Sequence, residues 1–90
     1  MGQHWDGDHR FIQLASMLSY AAEAAARGEP TSDKKEQIIK FLKRGRWKRA
    51  DARAMITDAC VLLEYGTGPK VYEHGKLIAK ALDTSLDAYS

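Results

Sequence analysis

"KRADARAMITDACVLLEY", residues 48–65, is the stretch on which the fold turns. It holds no Gly or Pro, and apolar residues recur in it at three- and four-residue steps, the signature of a long helix. The apolar positions are Ala50, Ala54, Met55, Ile56, Ala59, Cys60, Val61, Leu62, Leu63 and Tyr65. They cover more than one stripe. A helix apolar on most sides needs neighbours on most sides, so residues 48–65 are expected to form the central helix of a bundle.

Downstream, Gly66 ends this helix and Pro69 suits the first position of the next. Residues 69–82 continue as a helix with Val71, Ile78, Ala81 and Leu82 inward. Gly75 sits in its middle, where glycine costs about 1 kcal/mol relative to alanine. Close approach of another helix is the expected reason. Residues 83–90 are an extension that continues the helix or runs over the surface, with Leu86 and Tyr89 as docking points.

Upstream, residues 9–27 read as an amphipathic helix. Phe11, Leu14, Ala15, Leu18, Ala22 and Ala25 line one face, Asp8 is its N-cap, and Gly28 and Pro30 stop it. Residues 33–44 form a shorter helix capped by Ser32 or Asp33, with Ile38, Ile39 and Leu42 apolar, and Gly45 ends it. No alternating β pattern and no internal repeat occurs. The expected architecture is all-α: a small four-helix bundle, three long helices plus one short, forming a single domain over residues 1–90 with an N-terminal tail at 1–8.

Composition narrows the class further. Ninety residues can enclose one core and not two. A hydrophobic share of 44% is too high for a disordered chain. Cys60 is the single cysteine, so no intramolecular disulfide can form; this suits a reducing compartment, and a cytoplasmic location is expected. The longest charge-free run, Phe11 to Ala22, is too short and too polar to span a membrane. No basic region followed by an apolar one opens the chain, so no signal peptide is expected.

Charge is uneven. Residues 34–53 hold nine cations and two anions, a local +7, while the remainder carries −5 against a total of +2. The densest part is "KRGRWKR", residues 43–49: Lys43, Arg44, Arg46, Lys48 and Arg49 around Gly45 and Trp47. Arg53 follows one turn later. Cations fanned from a turn and two helix ends suit phosphates, and an indole can stack on a base. Trp47 also lies three and seven residues before Ala50 and Ala54, the spacing of a core or half-buried anchor, and that placement is preferred. The expected binding residues are therefore Lys43, Arg44, Arg46, Trp47, Lys48, Arg49 and Arg53.

The run "IIKFLKRGRWKRADARAMI", residues 38–56, loosely resembles the first helix, turn and second helix of bacterial winged-helix and helix-turn-helix domains. The resemblance covers about a fifth of the chain. Lys40 and Asp51 stand where apolar residues are expected around the turn glycine, the following helix is long and mostly apolar, and no β wing follows.

Catalysis has little to build on. There is no Gly-rich phosphate loop, no H-E-x-x-H and no paired-cysteine spacing, so no enzyme activity and no cofactor are expected. Cys60, among Ala59, Val61, Leu62 and Leu63, reads as an inert buried thiol. Removal of Met1 would leave Gly2, Gln3 and His4 as an amine, amide and imidazole set suited to Cu(II) or Ni(II). A chance histidine at that position is the preferred explanation, and no metal site is assigned.

The expected function is thus a small non-enzymatic helical regulator that contacts nucleic-acid backbone through residues 43–53 with little sequence specificity. The alternative is a protein-binding inhibitor or adaptor, of the size common among phage- and plasmid-encoded accessory proteins, whose basic turn engages an acidic surface of a larger complex. No membrane partner is expected, and a homodimer is possible.

Overall fold

Four helices form where the breakers place them: α1 His9–Ala26, α2 Ser32–Arg44, α3 Arg49–Gly66 and α4 Pro69–Asp87. The computed structural model describes residues 9–45, 47–66 and 68–87 of the chain. No strand occurs among them. The expected tail at 1–8, with Asp8 and the Gly2, Gln3 and His4 set, lies outside the described residues, as do Tyr89 and the side chain of Leu86.

Local chemistry accounts for most of the helix ends. Gly28 adopts φ +81°, the left-handed region that glycine reaches without strain. Its N–H then donates to the Ala25 carbonyl at 3.0 Å, and the Glu29 N–H donates to the Ala24 carbonyl at 2.9 Å. This pair of bonds closes the end of α1 as a Schellman motif. The N-cap of α2 is Thr31 rather than Ser32 or Asp33, and it makes no side-chain cap hydrogen bond. Asp33 falls instead in the first turn, where its charge complements the helix dipole. The fourth helix continues beyond residue 82, one of the two courses expected for the extension. "DTSLD" contains no breaker, and the helix continues through it to Asp87, with Thr84 Oγ1 donating to the Lys80 carbonyl at 3.2 Å.

The packing differs from expectation in one respect. α3 is not the central helix. α1 and α4 form the most extensive contact and each touches both other helices, whereas α2 and α3 barely meet. α1, α3 and α4 make a triangle, and α2 lies across the α1–α4 pair. The thinnest dimension, 18 Å, is that of two helix layers. Leu14, Leu18, Ile38, Leu42, Met55 and Leu82 are the large side chains fully enclosed between them. Among the described residues no polar or charged side chain is buried. α3 turns Ala52, Met55, Ile56, Ala59, Cys60 and Leu63 inward and leaves Val61, Leu62 and Tyr65 exposed.

Gly75 has the role expected of it. It is buried on α4 where α1 and α3 converge, and a Cβ placed there would stand 2.5 Å from Leu63 Cδ1 and 3.7 Å from Ala22 Cβ. No helix among the described residues is long and apolar enough to cross a membrane.

Candidate nucleic-acid interface

α2 ends in cations and α3 begins with them, and the short Gly45–Lys48 connection holds the two ends at one corner of the molecule. Lys43 and Arg44 occupy the last turn of α2, where cations complement the carbonyl end of the helix dipole. Lys48 leads into α3 and Arg49 opens it. All four are exposed, and so is Lys40, three and four residues before Lys43 and Arg44 on the same face of α2. Arg46 lies outside the described residues.

Trp47 is a structural residue of this corner. It is half-buried and packs against the core cluster. A Cβ on Gly45 would stand 2.6 Å from the indole Nε1 and 2.8 Å from Cδ1. Gly45 has φ −75° and a helical conformation, so no positive φ demands glycine there. The indole does. Arg10, from the first turn of α1, lies over the ring with its guanidinium carbon 4.3 Å from the ring centroid, a cation–π contact. The sequence pattern offers no sign of Arg10, which is thirty-seven positions away in a different helix. The junction is thereby tied to the start of α1.

Arg53 belongs to a different arrangement. Its guanidinium forms a two-pronged pair with the Asp83 carboxylate of α4, Nε to Oδ1 and Nη2 to Oδ2, the latter at 2.9 Å. Of the expected binding residues, Arg53 thus also ties α3 to α4. The Arg53 hydrogen bond is the main cause that holds the Asp83 carboxyl below its ordinary pKa; partial desolvation opposes it, and the charges of Arg53 and Arg49 add to it. A carboxyl depressed in the folded state contributes stability above the unfolded value near 4 and loses it as pH falls through the folded value. The Asp83→Asn variant should melt slightly below the wild type at neutral pH, the small effect of an exposed pair. Thermal melts across pH should show that gap closing below about pH 4. A gap that stays constant into acid would mean the pair contributes nothing.

Elsewhere the chemistry is spare. Cys60 is buried, and its desolvation pushes the thiol pKa up, away from thiolate. Among the described residues no three His, Cys, Asp or Glu side chains are placed to hold a metal ion. An open groove of about 500 Å³ runs between α1 and α3, lined mainly by apolar residues including Phe11, Ile12, Ala15 and Leu62. Among the described residues Glu23 is the only carboxylate on its wall, so no carboxylate pair lines it.

Comparison of the chain with protein-family models, with curated proteins and with solved structures returns no match.

Proposed function

We propose that this chain is a small non-enzymatic regulator that grips nucleic-acid backbone through the α2–α3 corner with little sequence specificity. The supporting observation is the grouping of exposed Lys40, Lys43, Arg44, Lys48 and Arg49 on two helix ends that a packed tryptophan holds together. Long cations at a turn reach phosphates from several directions, while reading bases needs side chains ranked along a helix that enters a groove. The single buried thiol suits a reducing cytoplasm.

The alternative, an inhibitor or adaptor engaging an acidic protein surface, needs exposed Trp, Tyr or Leu anchors beside the basic rim. Tyr20 and Tyr65 are exposed but stand about 15 and 24 Å along their helices from Arg10 and Arg49, at 1.5 Å per residue. That separation favours the nucleic-acid reading.

The test is salt dependence. Four phosphates neutralised at once give a slope of log affinity on log salt of about −3.6 for duplex DNA. Replacing Arg44 and Lys48 with alanine should weaken binding to all sequences alike and flatten the slope by about 2. The fold should survive within about 0.5 kcal/mol, as both side chains are exposed. Absence of salt-dependent binding to DNA or RNA at low ionic strength overturns the proposal.

A further inference from the structure

Part of the exposed apolar surface of α3 forms one continuous face. At 100° per residue, Ala50, Ala54, Thr57, Val61 and Tyr65 fall within an arc of about 80°. That arc faces away from the buried Ala52, Ala59 and Leu63, and all five residues are exposed. Tyr65 is 82% exposed and Val61 44%. The face is small at one end, with Ala50 and Ala54, and large at the other, with Val61 and Tyr65. Ionisable residues flank it and do not interrupt it.

We infer that this face is a self-association surface on which α3 pairs antiparallel with α3 of a second copy. Size complementarity selects that occupant. Setting Tyr65 over Ala50 of the second copy and Val61 over Ala54 requires one two-fold axis, because both pairs share a midpoint between Thr57 and Asp58. The same register then repeats both contacts on the other side of the axis, as an isologous interface must. Charge agrees. Arg53 and Glu64 lie on one edge of the face, and the symmetry sets Glu64 of each copy about 3 Å along the axis from Arg53 of the other, at 1.5 Å per residue. Each Arg53 would then be flanked by Asp83 of its own chain and Glu64 of the second. Asp58, on the opposite edge, meets its own mate near the axis. That like-charge contact limits the association to a weak one. The inference does not depend on nucleic-acid binding, and the basic corner lies beyond the face.

Sedimentation equilibrium on the full chain across the micromolar range should show the mass rising from 10.1 kDa toward twice that value with concentration. Val61→Glu and Tyr65→Ala, both at exposed positions, should each return the mass to the monomer while far-UV circular dichroism stays unchanged. Under mild oxidation Thr57→Cys, beside the axis, should give a disulfide-linked dimer. Ala50→Cys should not, because its mate lies about 22 Å away along the helix. A monomer at every concentration overturns the inference. So does a dimer indifferent to both variants, and so does cross-linking of Ala50→Cys, which would mean parallel pairing.

Discussion

Trp47→Ala should lower the stability of the fold by about 3 kcal/mol, the lower end of the range for removing a packed aromatic. For a domain of this size, each kcal/mol moves the melting temperature by roughly 4–8 °C. The loss has three physical sources: the contact with the core cluster, the seat on Gly45 and the Arg10 contact. Gly45→Ala gives an independent check. By helix propensity alone it should stabilise, since the conformation at Gly45 is one alanine adopts readily. Because its Cβ would press on the indole, it should destabilise instead, and it should become harmless in the Trp47→Ala background. Denaturant unfolding of the four proteins measures the coupling. Unchanged stability with lost affinity for nucleic acid would assign the indole to base stacking.

Gly75→Leu is expected to cost about 3 kcal/mol, the upper end of the range for overpacking. The position lies where three helices converge, so a side chain there has no free direction. Helix propensity acts the opposite way by about 1 kcal/mol, which makes the sign of the result informative. The nearest atom is the far end of Leu63, a side chain able to shift, while Ala22 Cβ stands rigidly on α1. Gly75→Ala should therefore be much milder than Gly75→Leu. A leucine variant as stable as the wild type would show that α4 moves away from α1 without penalty.

Gly28, Gly66 and Pro69 show how much of this fold is written locally. Each stands at or beside a helix end, so the breaks between helices are legible from single residues, and Gly75 announces a close contact by its cost. The placement of α3 is not legible in that way. A second apolar stripe on a helix has the same sequence pattern whether a neighbour covers it or solvent does, and Val61, Leu62 and Tyr65 are exposed. The basic corner follows the same division. Lys43, Arg44, Lys48 and Arg49 are grouped by adjacency along the chain. The pairing of Arg53 with Asp83 and of Arg10 with Trp47 spans thirty and thirty-seven residues, and neither has a local signal. Which cation also ties two helices together was decided by tertiary packing alone.

The thin attachment of α2 has a consequence for how the molecule opens. α2 encloses only Ile38 and Leu42 completely, and it leans on α1 and α4 with scarcely any contact to α3. The free energy needed to detach one segment while the rest stays folded follows the apolar surface that segment buries. With the sparsest contact to the other helices, α2 should be the first element to lift away, leaving the α1, α3 and α4 triangle standing. Lys40, Lys43 and Arg44 would travel with it, whereas Lys48 and Arg49 remain with the triangle. Opening of this kind would change the gap between the two halves of the cationic corner at a fraction of the energy of global unfolding.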